Sequence, residues 1–251
     1  MQKKNCPEPT ISAWFQWKIL IDFPLAVVLS IPAIPIVIFT ILLVRLTSKG
    51  PGIYKQIRTG VNGKAFAIYK IRSMRVDAEA ATGAVWCARK DNRITKVGKI
   101  IRATHIDELP QLWNVLRGEM SLVGPRPERP EFVKELEKRI DGYEYRLYVK
   151  PGITGLSQLN QASDIDLNDV RRKLVYDFEY VEHASLWKDL CLIFCTALKT
   201  IKLCNPVTLR FFGLYHKAHT MQWAPMMQVT EYADPYEEDR LSRILLKQTM
   251  A

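Results

Sequence analysis

The sequence predicts a membrane-associated chain of mixed α/β class, on three observations. Residues 19 to 44, ILIDFPLAVVLSIPAIPIVIFTILLV, form one long apolar run near the N-terminus. Two alternating segments flank Asn62-Gly63, a dipeptide that tolerates positive φ, and read as a β-hairpin over 53–72. Further on, Leu109, Leu112, Trp113 and Leu116 recur at helical spacing, with Gly118 as a C-terminal stop.

The composition fits this class. With 251 residues, 48% of them apolar, the chain holds enough for one substantial domain or two small ones, and it is not disordered. A formal charge of +10 calls for an acidic partner: nucleic acid, an anionic membrane surface or a phosphorylated substrate. Cys6, Cys87, Cys191, Cys195 and Cys204 are scattered without a CxxC pair, which reads as reduced thiols in a cytoplasmic compartment. No His or Cys cluster has zinc-ligand spacing.

As one straight helix the apolar run would reach roughly 39 Å, against a hydrocarbon core of about 30 Å. Pro32 and Pro35 each remove a backbone donor and crowd the preceding turn, so a membrane break is expected there. Each arm, roughly 20 Å long, is then too short to span but suits a helix-break-helix that enters and leaves one leaflet. A kinked single-pass anchor satisfies the same residues. Lys3, Lys4 and Lys18 precede the run, and Arg45, Lys49, Lys55, Arg58, Lys64, Lys70, Arg72 and Arg75 follow it, so both readings make the main domain cytoplasmic. The run is too long for a signal-peptide core and has no small-residue cleavage site. Asp22, near its start, is expected at headgroup level.

After the hairpin, a polar connection runs to residue 93, and Ile94 to Arg102 alternates weakly. Asp107 is then expected as the N-cap of a helix, with Glu108 first inside it and Pro110 in its first turn. The helix dipole favours the ionised form of both acids, as a nucleophile or metal ligand requires, and the same N-terminus offers N–H groups to a phosphate. Acids at a helix start are also ordinary caps. The next turn tilts the balance: in LVGPRPERPEF, Arg126 stands between two prolines that fix it in extended geometry for bidentate contact with a phosphate. Arg102 and Arg129 are further candidates.

Taken together, LTSKGPGIYKQIRTGVNGKAFAIYKIRSMR, RATHIDELPQLWNVLRGEMSLVGPRPE, VKPGITGLSQLN and YDFEYVEHASLWKDL resemble the bacterial sugar transferase family, the monotopic phosphoglycosyltransferases, in order from about residue 14 to 203. The resemblance implies an α/β fold with an N-terminal re-entrant membrane helix-break-helix, amphipathic interfacial helices and a small cytoplasmic α/β catalytic domain. It divides the chain into an N-terminal interfacial segment (1–18), the re-entrant helix (19–46), the catalytic domain (47–204) and a C-terminal extension (205–251). It implies a bacterial inner-membrane protein that transfers a sugar 1-phosphate from a UDP-sugar to undecaprenyl phosphate, releases UMP and initiates lipid-linked glycan assembly. Asp107 falls on the family nucleophile, which forms a covalent phosphosugar intermediate, and Glu108 on its partner. Mg²⁺ is the implied cofactor, held by Asp107 and Glu108. Arg102 and Arg126 match phosphate-contacting positions, and Asp177 matches a supporting aspartate expected to pair with one of these arginines.

Three features depart from the family pattern. Ile34-Pro35 stands where Ser-Pro is common at the membrane break, Gln161 follows Asn160 where many relatives have Gly-Arg, and residues 205–251 match nothing familiar. Asp164-Ile165-Asp166 is a short motif with no nucleotide-binding pattern around it and reads as a solvated loop. Residues 185–203 form an amphipathic stretch expected at the membrane interface, and TLRFFGLYHKAHTMQW continues its aromatic and basic mixture. The positive charge is thereby accounted for by lipids, lipid phosphate and UDP-sugar, without nucleic acid. A homodimer and downstream glycosyltransferases are further expected partners. A catalytically silent membrane scaffold is the rival reading, which the intact Asp107-Glu108 pair and Pro-Arg-Pro turn disfavour.

Overall fold

The computed structural model describes residues 6–78, 91–161 and 166–229. A short helix α1 (Trp14–Trp17) leads into α2 (Ile19–Thr47), whose 29 residues stay helical through Pro24, Pro32 and Pro35. The prolines therefore do not interrupt the helix. Around them, the hydroxyls of Ser30 and Thr40 donate back to the carbonyls of Ala26 and Ile36, both at 2.7 Å. Such back-bonding is compatible with a bent but unbroken helix.

The buried residues of α2 are Asp22, Ala26, Ala33, Thr40 and Val44, a stripe at helical intervals that runs from its first turn to its last. Asp22 is not exposed at its start. It is buried and accepts a 2.6 Å hydrogen bond from the hydroxyl of Ser121. Next to it, Lys18 pairs with Asp189, which also accepts from Trp14 Nε1 at 2.7 Å and from the Tyr180 hydroxyl at 2.6 Å. At the far end, Val44 packs with Ile71 and Ile101.

The hairpin forms as the alternation predicts. Strands β1 (Ile53–Thr59) and β2 (Ala65–Ile71) pair antiparallel, with Ile53 opposite Ile71 and Thr59 opposite Ala65. Asn62 and Gly63 adopt φ of 52° and 76° in the turn. The weakly alternating Ile94–Arg102 stretch is instead largely helical: the Thr95 side chain accepts from the Gly98 amide and starts α3 (Lys96–Ala103). Most of the preceding connection, with Cys87, lies outside the described residues.

The chain continues through a 3₁₀ turn (Ile106–Gln111), α4 (Leu112–Leu116), β3 (Ser121–Val123) and α5 (Pro130–Arg139). A second 3₁₀ turn (Tyr143–Tyr148), β4 (Gly152–Thr154) and α6 (Leu156–Asn160) follow, then α7 (Leu167–His183), α8 (Leu186–Thr200) and α9 (Pro206–Phe211). Strands β3 and β4 pair in parallel as a separate two-stranded sheet. Asp166 is the N-cap of α7 in a capping box with Asp169, so its role is to start a helix; Asp164 and Ile165 lie outside the described residues.

Val170, Leu174 and Phe178 of α7, Leu192 and Cys195 of α8, and Val123, Tyr143 and Leu156 form the centre of the core. The segment past residue 204 belongs to this core as far as it is described. Leu209, Leu214, Met221, Trp223 and Met227 are buried in it, and Trp223 stacks edge-on against Phe178 at 5.1 Å. Asn160 fastens it from both sides, donating to the Leu214 carbonyl at 2.8 Å and accepting from the His216 amide at 3.1 Å. The N-terminal residues are docked as well: the Ser12 amide donates to the Val181 carbonyl at 3.0 Å and its hydroxyl to the Ala184 carbonyl at 2.8 Å.

Candidate active site

Asp107 and Glu108 lie in the 3₁₀ turn rather than at the start of an α-helix. The residue in the cap position is His105, held at φ 53°, while Pro110 sits inside the turn and the α-helix begins only at Leu112. A residue with a Cβ in the left-handed region is uncommon, and here it turns the chain sharply just before the acid pair. The far end of this unit is fixed by Asn114, whose side-chain amide donates to the Ala67 carbonyl of β2 and to Glu119, both at 2.7 Å.

The two neighbouring carboxylates meet different surroundings. Glu108 accepts from Lys70 Nζ at 2.7 Å and from Arg126 Nη2 at 2.6 Å. Burial works against its charge, but the Arg126 and Lys70 cations overcome it and hold the carboxyl well below its ordinary range. Asp107 is 8% exposed and takes part in neither ion pair. Burial, then the adjacent Glu108 charge, pushes it up to about 6, against the pull of Lys70, Arg102 and Arg126. The equal ionisation expected from a helix dipole is therefore replaced by a split pair.

The sequence places Arg126 on a rigid turn, and the fold gives that turn a backing. Gly124 and Gly152 approach so closely that a Cβ on Gly152 would stand 2.0 Å from the Gly124 amide nitrogen. This close contact seats the Gly-Pro-Arg-Pro turn on the end of β4. Behind it, Arg146 donates to the Arg126 carbonyl at 2.8 Å and to the Tyr143 hydroxyl at 3.0 Å, and it pairs with Asp177 at 2.9 Å. Asp177 also accepts from the Ser157 hydroxyl at 3.0 Å. Asp177 thus pairs with Arg146 rather than with Arg102 or Arg126. Both members of the Arg146–Asp177 pair are buried, too deep for contact with a substrate.

On the other side of the turn, Glu128 pairs with Lys173 at 2.8 Å and Arg58 at 3.6 Å, and its carbonyl accepts from the Thr59 amide at 2.8 Å. Although burial opposes its charge, Lys173, Arg146 and Arg58 bring the Glu128 carboxyl down to about 2. Arg102 lies at the end of α3, near enough for its charge to act on Asp107. The fold thus brings Arg102, Asp107, Glu108 and Arg126 together, puts Asp177 behind them, and keeps Pro32 and Pro35 on α2.

Sequence reasoning missed Lys70, Glu128, Arg146 and Lys173 as parts of this site. For Lys70 a signal existed: on a strand it shares a face with Phe66 and Ile68, so a charge there enters the apolar side. Arg146 and Lys173 meet their partners across gaps of 31 and 45 residues, for which the linear pattern holds no sign.

Residues 13–203 match the family described as bacterial sugar transferase. The chain belongs to this family. Over 178 residues it is 44% identical to the UDP-N-acetylgalactosamine-undecaprenyl-phosphate N-acetylgalactosaminephosphotransferase of Aeromonas hydrophila, covering 70% of this chain and 42% of the relative. It is 42% identical over 167 residues to the UDP-glucose:undecaprenyl-phosphate glucose-1-phosphate transferase of Klebsiella pneumoniae, covering 66% of this chain and 36% of that one. A protein of the same description from Caulobacter vibrioides is 36% identical over 192 residues, covering 76% of this chain and 71% of the relative. The chain thus spans less than half the length of the first two relatives. Among the described residues one helix, Ile19–Thr47, is long and apolar enough to cross a membrane.

Proposed function

We propose that this bacterial sugar transferase moves a sugar 1-phosphate from a UDP-sugar to undecaprenyl phosphate through a covalent intermediate on Asp107. The observation that carries this reading is the split carboxylate pair: Glu108 is neutralised by Lys70 and Arg126, while Asp107 stands buried and outside both ion pairs. A carboxylate left under-compensated, beside cations suited to phosphate, is a nucleophile in a site for anions.

In the first step a carboxylate oxygen of Asp107 forms a bond to the β-phosphorus of the donor. The bond from that phosphorus to the bridging oxygen breaks, and UMP leaves with the electron pair. In the second step an oxygen of the lipid phosphate attacks the same phosphorus, freeing Asp107 and leaving undecaprenyl-diphosphate-sugar. Arg126, held by the Arg146–Asp177 pair through its carbonyl, and Arg102 lower the repulsion between the diphosphate and the carboxylate.

Mg²⁺ fits this donor set. Among the described residues no group of three or more His, Cys, Asp or Glu forms a metal cage. Mg²⁺ needs no such cage, since one or two carboxylates suffice when substrate phosphates complete its shell. Asp107 would hold it, with Glu108 Oε2, which Arg126 Nη1 approaches only to 3.4 Å, as the second oxygen. When bound, the ion supplies charge neutralisation at the diphosphate.

The membrane reading rests on α2. Its buried stripe meets the catalytic domain at Asp22 in the first turn and at Val44 in the last, a separation of about 33 Å along the axis. A helix crossing the bilayer carries one end away from a domain on one side, whereas a bent, re-entrant helix keeps both ends beside it. Phe23, Val27, Ile31, Ile34, Ile38 and Leu42 on the remaining surface of α2 are exposed and suit contact with a bilayer. Exposed Trp17, Trp113 and Trp187 suit the headgroup level, as does the apolar stripe Leu186, Leu190, Phe194 and Ile201 along and just beyond α8. These features support our reading of the protein as monotopic in the bacterial inner membrane, with its catalytic domain in the cytoplasm.

The test is UMP release by purified protein from a panel of UDP-sugars, with undecaprenyl phosphate and Mg²⁺. Lipid-dependent UMP from one donor, absent in Asp107→Asn, supports the reaction. Recovery of a phosphosugar adduct on an Asp107 peptide supports the intermediate. Folded protein that is silent with every donor favours the scaffold reading.

A further inference from the structure

Beyond residue 203, where the family match ends, the chain carries a surface that the proposed reaction does not use. Helix α9 buries Leu209 and leaves Val207 and Phe211, one helical turn apart, 71% and 83% exposed. Phe211 packs edge-on against Phe212 with centroids 5.1 Å apart, and Phe212 packs the same way against Phe194 of α8 at 5.6 Å. Phe194 belongs to the exposed stripe of α8, so the apolar faces of α8 and α9 are continuous.

Along the sequence the charged residues of this stretch are all basic: from Leu190 to Val229 there is no Asp or Glu, and the chain carries Lys199, Lys202, Arg210 and Lys217. Glu182 of α7 meets the far end of the segment at Gln222 and Trp223. The Arg210 guanidinium lies over the Tyr215 ring at 4.7 Å. The segment is not a loose tail, since Asn160 and the Tyr176 hydroxyl, the latter at 2.8 Å from the His216 carbonyl, tie it to α6 and α7.

We propose that α9 and the turn after it form an additional lipid-contacting element, specific to this chain, that seats the C-terminal side of the catalytic domain on an anionic bilayer. Val207 and Phe211 enter the acyl boundary, and Lys202 and Arg210 meet headgroup phosphates. Apolar side chains flanked in sequence by Lys202 and Arg210, continuous with the apolar stripe of α8, match an anionic membrane surface in both hydrophobicity and charge. The inference rests on the membrane reading proposed above.

The experiment places the photo-crosslinking residue p-benzoylphenylalanine at Phe211 in the full chain, in nanodiscs of phosphatidylethanolamine and labelled phosphatidylglycerol. Parallel samples carry it at Ile31 of α2 and at Glu135, exposed on α5. Lipid adducts at 31 and 211 with none at 135 are expected. A lipid adduct at 31 with none at 211, or a protein–protein adduct at 211, overturns the inference and leaves the α2 reading standing. Lipid adducts at neither 31 nor 211 overturn both. A lipid adduct at 135 equal to that at 211 also overturns the inference, because labelling is then independent of the surface.

Discussion

Arg146, buried beneath the Pro-Arg-Pro turn, donates its Nη2 hydrogen to the backbone carbonyl of Arg126 at 2.8 Å. A residue that no substrate can reach therefore sets the position of one that a phosphate can. Asp177→Asn leaves the Arg146 cation without its buried counter-charge, and breaking such a pair costs about 3–5 kcal/mol. The expected outcome is a protein with a lower unfolding midpoint and reduced kcat. Replacing both partners with apolar residues, in Arg146→Met/Asp177→Leu, is expected to restore much of the stability without the activity, because the Arg126 carbonyl still loses its donor. Denaturation and turnover, measured on the same preparations, separate the two effects.

The environment of Asp107 ties activity to stability with opposite signs. Its carboxyl is raised to about 6 from an unfolded value of 3.8, so between these pH values the folded state binds more protons than the unfolded state. Stability contributed by this group therefore falls as pH rises through that window and stays low above it, by roughly 2–3 kcal/mol. Asp107→Asn is expected to abolish turnover yet unfold at a higher temperature than the parent at pH 8, with the gain vanishing near pH 4. Asp166→Asn serves as the contrast, with activity little changed, because asparagine also caps helices well.

If Asp107 is the nucleophile as proposed, protonating it removes the attacking carboxylate, and kcat/KM is expected to fall as pH drops through about 6. Glu108→Gln removes the neighbouring negative charge that raises Asp107 and frees Lys70 and Arg126 to act on it. The acid limb of the residual activity should then move to lower pH, while a role for Glu108 in folding alone would leave the limb in place.

Chelation provides a separate check on the metal. EDTA is expected to abolish UMP release and added Mg²⁺ to restore it, while Asp107→Asn should bind Mn²⁺ more weakly by electron paramagnetic resonance. Unchanged Mn²⁺ binding in that variant would place the ion elsewhere.

Re-entry of α2 requires both its ends on one side of the bilayer. Cysteines introduced at Ile11 and Lys49 are expected to react with a membrane-impermeant maleimide from the same face of sealed inverted vesicles. Labelling of the two positions from opposite faces would show a spanning helix instead.

Local pattern carried much of the architecture. The hairpin follows from alternation and from Asn62-Gly63, whose positive φ values the turn requires. The apolar run, the stop at Gly118 and the Pro-Arg-Pro turn likewise express backbone and side-chain preferences that act over a few residues. Asp107, Glu108, Arg102 and Arg126 could be named because their order along the chain is itself the signature. What the linear order does not contain is which charges meet. Only the tertiary structure decided that Glu108 takes both Lys70 and Arg126, that Asp107 is left under-compensated, and that Asp177 serves Arg146. It also decided that Asp22 is buried against Ser121 and that residues 205–229 join the core. The physical reason is range: turn and periodicity signals are local free energies, whereas desolvation and ion pairing depend on groups tens of residues apart that become neighbours only when the core closes.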